Sequence, residues 1–487
     1  MSTPVAPCHI HPTHRPWSHR AAALVAGLSL VAIVAACGQK PGTHVAAGDA
    51  TPAADASSGS ELSDGGTIGG EVTDAGTTGG TATGGTTTGG TTTGGTTGGG
   101  TTGGTGAGAA LSLTGKDRTG VSADAINLSV HAPVTGAAPL PAESFQRAND
   151  TYWRYVTEIK GEKVLGRSKV NVAFKDDKYT PNTAIQACRE LAASSFLLVG
   201  AGGTDQIQAC GQFANQAKVP YLSVGVTEVG LTGLKNYFAA SMSYPQQAGL
   251  LAQYVKKSFP GKKVAAIITN TPNFDDATSA WDAAVKEQGL NYFKTLRHPK
   301  GNNSWITAYS SEMKGAGVEV LFILSAPTDY LQFAQQAGTQ GFKPQYVGLG
   351  ISKGLNAVLA AGCPDVNGGI FFSPFPGLDW ARQNLPEFFQ ASQQLGKPSD
   401  DVALALWGLA SVEHEAFKRY EQVYKSTDLT REDFVKMLEQ QQGIQTKVFP
   451  QLSYKAADHF GAGQVHVLQA DCGSGEHKTL ATFASGF

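Results

Sequence analysis

The sequence of this 487-residue chain predicts an α/β fold of two lobes, each built on a parallel sheet covered by helices. Three observations lead there. Beyond residue 115, short apolar runs of strand length alternate with segments of helical composition, the pattern of parallel strands joined by helical crossovers. The alternation runs through twice in one chain, which gives two lobes. A hydrophobic content of 41% with 9% aromatics supports a real core and excludes a chain disordered throughout.

In the first run, Ala125 to Val130 has the length and apolarity of a strand, and Ser144 to Ile159 is helical in composition and stops at Gly161. Val170 to Phe174 is the next strand. Pro181 to Ala193 follows as a helix, with its proline near the start, where a missing N–H is harmless. Phe196 to Val199 is a strand that enters the glycine-rich loop 200–205 and a helix to Ala217, and Tyr221 to Val224 is the fourth strand. The second run has strands at 264–268, 318–324, 345–348 and 369–372. Its helices fall at 246–258, 278–288, 305–315, 330–337 and 355–361. Helices at 386–395, 401–425 and 431–442 follow, and Leu452–Tyr454 with Gln464–Gln469 reads as a late hairpin. Ligands of open α/β sheets lie off the carboxyl ends of the strands. That rule selects the loops 131–141, 200–205, 225–229, 270–276, 325–330 and 349–353.

The amino-terminal 115 residues have a different character. Residues 1–20 carry Arg15 and Arg20 and no acid, and residues 21–36 are uncharged and largely apolar. Val34-Ala35-Ala36-Cys37 closes that stretch. The order of charge, apolar run, small residues and cysteine resembles the lipobox of bacterial lipoproteins, which implies a signal peptide over 1–36 and a lipid anchor on Cys37. His9, His11, His14 and His19 lie in the part that would be removed, so no metal role is expected for them. Residues 37–115 read as a flexible linker. The stretch 65–108 holds 20 of the chain's 60 glycines, and no charge stands between Asp74 and Lys116. With nothing apolar to bury, about 70 such residues form a coil with a reach of ~45 Å. The chain has 37 basic and 39 acidic residues, so the basic footprint of a nucleic-acid binder is missing. No apolar run is long enough for a spanning helix.

Several loops of the folded part carry short motifs in a recognisable order. They are Ala132-Pro133-Val134-Thr135-Gly136, Asp176-Asp177-Lys178-Tyr179, Val199-Gly200-Ala201-Gly202, Val219-Pro220-Tyr221-Leu222-Ser223, Asn270-Thr271-Pro272-Asn273-Phe274 and Gly338-Thr339-Gln340-Gly341-Phe342. Together, over about 120–487, they resemble the type I solute-binding proteins of ABC importers, specifically the leucine/isoleucine/valine-binding type. The resemblance implies two Rossmann-like lobes with parallel sheets joined by a three-segment hinge, the type I periplasmic binding protein fold. By analogy the crossings fall near 242–246, 371–376 and 447–452. Within a binding domain at 116–487, lobe 1 is then 122–243 plus 374–449, and lobe 2 is 244–373 plus 450–487. The implied activity is capture of a small solute, an amino acid or related compound, in the cleft between the lobes. Delivery goes to an ABC permease in the membrane, from an extracytoplasmic monomer that uses no cofactor and no metal.

The resemblance also places a ligand. Gly203 and Thr204 open a helix after the third strand, where the family binds a carboxylate; free N–H groups and the positive end of the helix dipole suit an anion. Thr204 or Asp205 as a plain helix cap is the alternative. Gly225 and Thr227 match the loop that the family sets against an α-ammonium, and Phe274 matches an aromatic packed over the ligand. Ala326 falls where amino-acid binders have a tyrosine, and Ser352 lies in the loop 348–352, where they have a glutamate. No acid stands in that loop. A buried ammonium without a carboxylate is costly, so this departure points to a more apolar pocket and a ligand other than an α-amino acid.

Four cysteines remain beyond Cys8 and Cys37, an even number that in an exported protein reads as two disulfides with three possible pairings. Cys188 and Cys210 lie on successive helices that flank one strand, which favours Cys188–Cys210 and leaves Cys363–Cys472. A ligand-sensing receptor domain of the same fold is the alternative function. A nucleotide-dependent enzyme is the further one, because Gly200-Ala201-Gly202-Gly203 resembles a dinucleotide loop. It lacks the third glycine of that fingerprint, and no hydrolase or zinc motif accompanies it, so an enzyme is not expected.

Overall fold

A computed structural model describes residues 112–136, 141–350, 355–440, 442–456 and 458–487. The signal segment, Cys37, nearly all of the Gly/Thr-rich stretch and Ser352 lie outside the described residues. Residues 112–115, assigned to the linker by composition, are tied to the folded part. Asp433 accepts hydrogen bonds from the backbone N–H of Thr114 (3.1 Å) and Gly115 (2.8 Å).

The first sheet contains β1 (Ala125–Ala132), β2 (Lys169–Asp176), β3 (Leu197–Gly200), β4 (Tyr221–Ser223) and β5 (Tyr237–Ala239). Its order is β2-β1-β3-β4-β5, parallel throughout. The crossovers are α1 (Ala142–Arg154) with a π-turn at Tyr155–Ile159, α2 (Pro181–Ala192) and α3 (Thr204–Gln216). Central β3 is covered on both faces and every residue of it is buried. Edge strand β2 alternates exposed positions with buried or half-buried ones, as a half-covered strand must.

The second run begins at α4 (Tyr244–Ser258), which Ser243 and Gln246 start with a reciprocal capping box. It continues through β6 (Lys263–Thr269), α5 (Asp275–Glu287), β7 (Asn291–His298), α6 (Ile306–Gly315), β8 (Val320–Leu324), α7 (Pro327–Thr339), β9 (Gln345–Leu349), α8 (Asn356–Gly362) and β10 (Ile370–Ser373). Then come α9 (Leu378–Asn384), α10 (Pro386–Leu395), α11 (Asp401–Tyr424) and α12 (Arg431–Gln440). The short pair β11 (Gln442–Ile444) and β12 (Leu452–Ser453) and the hairpin β13 (Val465–Asp471) and β14 (Glu476–Ala484) complete the chain. The second sheet runs β14-β13-β10-β9-β8-β6-β7, with β13 antiparallel to β10 and β14 antiparallel to β13. Its parallel part, β7-β6-β8-β9-β10, repeats the order of the first sheet. Each sheet therefore has a switch point where successive crossovers diverge, between β1 and β3 in one and between β6 and β8 in the other. In open α/β sheets the loops at such points are where ligands bind.

The passages between lobes differ in place from those expected by analogy. The first falls at 240–243. Beyond β10, α9 stays with lobe 2, where Asp379 accepts from Thr479 and Arg382 pairs with Glu476. The second passage therefore lies at Leu385, not near 374. Residues 452–462 stay with lobe 1: the Tyr454 hydroxyl and the His459 ring bond backbone carbonyls of β5 at 3.1 and 2.8 Å. The third passage lies at 463–464 rather than at 449. For the same reason the late hairpin is not 452–454 with 464–469, since β12 pairs with β11 and β13 pairs with β14. Cys188–Cys210 and Cys363–Cys472 are disulfide-bonded, one within each lobe. None of the described helices is long and apolar enough to cross a membrane.

Candidate ligand-binding cleft

The loops at the two switch points face one another across a cavity. Pro133 follows β1, Ala201 to Thr204 follow β3, and Val224 to Val226 follow β4. From lobe 2 come Tyr244, Phe274, Ser325, Ala326 and Pro327. About 80 Å³ is open there to the centres of water-sized atoms. One water needs some 10–15 Å³ on that measure, so the space is of the size that a small molecule needs. None of the described lining residues is Asp, Glu, Lys or Arg.

The lobe 1 wall brings three glycines, Gly202, Gly203 and Gly225, beside Phe145, Tyr179, Val224 and Val226. Gly203 has φ +79°, a left-handed conformation that favours glycine, and it sits at the N-cap of α3 with no side-chain cap. Thr204 is the first residue of the helix, and its hydroxyl lies 3.4 Å from that of Tyr244. The floor beneath is a buried polar relay. His131 Nδ1 meets Asp177 at 2.8 Å and Nε2 meets the Tyr221 hydroxyl at 2.7 Å. A Cβ on Gly200 would stand 2.0 Å from that hydroxyl, so the relay and a side chain at 200 are mutually exclusive. Gly225 donates its N–H to Ser241 Oγ at 2.7 Å.

Asp205, next to the anion-favouring helix end, is drawn away from the cavity. Its carboxylate accepts from Asn273 Nδ2 and pairs with Lys300, both of lobe 2. The Lys300 ammonium also stands 4.4 Å from the centre of the Tyr179 ring. A second seam closes the other flank. Asp276 of α5 accepts from Thr227 Oγ1 (2.9 Å) and from the N–H groups of Glu228 (2.6 Å) and Val229 (3.3 Å). A third lies near the hinge, where Asp401 of α11 accepts from the N–H of Asn356 in α8 at 2.5 Å. Three carboxylates thus hold the lobes together around the cavity.

Of the residues singled out by sequence, Gly203, Thr204, Gly225, Phe274 and Ala326 line this space. Thr227 does not: it is fully buried and its hydroxyl is committed to Asp276, because a carboxylate from the opposite lobe is the stronger acceptor. Ser352 lies outside the described residues. Sequence reasoning passed over Tyr244, Gln247 and Ser325. Ser325 stood in a selected loop, and Tyr179 in a quoted motif. Tyr244 and Gln247 carried no local signal, because they belong to the helix that enters from the first passage. Phe274 stacks on Tyr244, with centroids 5.9 Å apart and planes 10° from parallel.

Two lobes closed on a small, mostly apolar cavity define a binding protein that encloses its ligand between domains. A family model described as periplasmic binding protein matches residues 125–476, and the chain belongs to that family, whose members bind ligands and are not enzymes. A Leu/Ile/Val-binding protein homolog 7 of Brucella abortus is 26% identical over 201 residues, 39% of this chain and 48% of that protein. The chain thus spans about half the length of the curated relatives it matches. Among solved structures, a fatty acid ABC transporter substrate-binding protein from Thermomonospora curvata has a TM-score of 0.63 at 18% identity, covering 76% of this chain and 95% of that one. A branched-chain amino acid ABC transporter protein from Thermus thermophilus with bound valine has a TM-score of 0.62 at 16% identity, covering 75% and 98%. At these identities the likeness is one of fold.

Proposed function

We propose that this chain is an extracytoplasmic solute-binding lipoprotein of an ABC importer, held to the membrane by lipid on Cys37. In this reading its cleft takes a small carboxylic acid with an apolar body and no α-ammonium. The observation that carries it is the make-up of the cavity. A helix begins there without a side-chain cap, suited to a carboxylate, while no described lining residue is an acid that could face an ammonium. Thr227, the family's partner for that ammonium, is engaged by Asp276 instead. The two structural neighbours illustrate the alternatives: one is named for a fatty acid and the other holds valine. The cavity described here favours the first kind of head group.

The test is thermal-shift and calorimetric titration of the purified protein with matched pairs such as 4-methylpentanoate and leucine. The acids are expected to stabilise saturably and without turnover, by roughly 2.7 kcal/mol at a hundredfold excess over Kd. Tighter binding of leucine than of its deaminated counterpart overturns the ligand class. For the anchor, Cys37→Ala is expected to move the protein from the membrane to the soluble fraction, and retention at the membrane overturns the lipid assignment.

A further inference from the structure

Ser325, the residue after β8, lines the cavity from lobe 2 and is itself buried. Its hydroxyl oxygen lies 2.7 Å from His298 Nε2. His298 is the last residue of β7 and is fully buried. Its ring stacks on Trp305 with centroids 4.1 Å apart, and its Nδ1 lies 3.1 Å from the carbonyl oxygen of Pro299. These contacts fix the direction of every hydrogen in the chain. A carbonyl can only accept, so the proton sits on Nδ1. Burial, together with neighbouring Arg297, keeps the ring neutral by pushing its pKa down to about 4. Nε2 therefore presents one lone pair and no proton. Two hydroxyls reach it, Ser325 at 2.7 Å and Thr269 at 3.2 Å, and the nearer one occupies it. The Ser325 hydrogen is then spent on His298, and its hydroxyl can offer the cavity only lone pairs.

We infer that His298, acting through Ser325, makes the lobe 2 side of the cavity an obligate hydrogen-bond acceptor, so that the ligand is an acid bearing a hydroxyl or amino donor on its apolar body. The inference rests on the carboxylic-acid reading above and adds the second functional group. Ser325 is the residue that meets the ligand, and His298 is a positioning residue. A ligand without a donor leaves the lone pairs of that buried oxygen without a partner. An ether places two sets of lone pairs against each other. A site built for one polarity of hydrogen bond rejects the opposite one more strongly than it rejects a change of size.

The experiment is calorimetric titration of the purified protein with benzoate, its 3- and 4-hydroxy and amino derivatives, and the corresponding methyl ethers. One hydroxylated and one aminated isomer are expected to bind about tenfold more tightly than benzoate, and the methyl ether of the same position more weakly than benzoate. In Ser325→Ala the donor preference is expected to vanish while benzoate stays within about threefold of its original affinity. In His298→Phe, which keeps the ring on Trp305, Ser325 is free to donate, and the penalty against the ether is expected to disappear. A loss of fold alone would lower all affinities together without changing their ratios. Acids that bind with no preference between donor and ether overturn this inference and leave the carboxylate reading standing. Failure of every acid to bind overturns both.

Discussion

The two lobes share one strand order and differ in what they do with it. Lobe 1 brings three glycines, Gly202, Gly203 and Gly225, and the start of α3 to the cavity, beside Phe145, Tyr179 and Val226. Lobe 2 meets it with side chains, Phe274 and Tyr244 in a parallel stack and Ser325 held by a buried histidine. Their internal ties differ as well. The lobe 1 disulfide closes a local loop of 22 residues between the helices flanking β3, and the lobe 2 disulfide joins residues 109 apart. Lobe 2 needs the longer tie because its outer strands β13 and β14 return from the far end of the chain. One scaffold thus presents equivalent loops from both sides, and the residues in those loops decide that one side donates and the other accepts.

Buried titratable groups separate the lobes most sharply. Lobe 2 holds three buried histidines, His298, His466 and His477, each with its pKa pushed down to about 4 by burial. Such groups take up protons more readily when unfolded, so they remove stability as pH falls from about 6.5 towards 4. Lobe 1 holds two buried acids on α11, Asp401 pushed up to about 7 and Glu413 up to about 8 by burial, with His414 pushed down to about 4. The acids act in the opposite sense, and their penalty grows as pH rises from about 4 through 7 to 8. Between pH 4.5 and 6.5 lobe 2 is expected to gain several kcal/mol with rising pH, while in lobe 1 two acids oppose one histidine. Hydrogen exchange followed peptide by peptide should show lobe 2 opening first at pH 4.5 and lobe 1 first at pH 8. The same order of opening at both values breaks the contrast.

The disulfides give the next effect. Chain entropy alone predicts a loss of about 5 kcal/mol for Cys363→Ala with Cys472→Ala, against about 3 kcal/mol for Cys188→Ala with Cys210→Ala. Urea unfolding of both variants checks the ranking. Smaller still is the cost of opening the flank seam. Asp276→Ala removes three hydrogen bonds from the lobe 1 loop. Water replaces most of their value in the open form, so an approximately tenfold weaker ligand affinity is expected, with a larger radius of gyration in small-angle scattering and little change in melting temperature. The smallest effect belongs to Lys300→Ala. Its partner Asp205 keeps Asn273, and partly exposed pairs contribute about 0.2–1 kcal/mol, so the expected loss of affinity is at most about fivefold by the same titration.

The local pattern carried much of this molecule. The apolar runs at Val264–Ile268 and Val318–Leu324 are legible as strands because buried parallel strands leave no polar face. Their neighbour β7, Asn-Tyr-Phe-Lys-Thr-Leu-Arg-His, was not legible. It is a half-exposed edge whose polarity hides it, and β5 is three residues long. Gly203 and Thr204 could be picked out because a strand-to-helix turn is a local event, and Phe274 because it matches an aromatic of the family that the sequence resembles. Tyr244 and Ser325 gain their roles from residues 27 or more positions away, and no spacing in the sequence encodes that.

By itself, then, the sequence determined the two-lobed α/β class, the cavity loops after β3, β4, β6 and β8, and the contrast between a Gly/Thr-rich leader and a folded domain. Hydrophobic period and glycine placement act within a few residues and are written in order along the chain. Only the tertiary structure decided where the chain passes between lobes, that Asp205 and Thr227 serve the seams rather than the ligand, and that Ser325 faces the cavity as an acceptor. Those outcomes depend on which buried donor finds which acceptor, and that pairing exists only once distant segments share one low-dielectric interior.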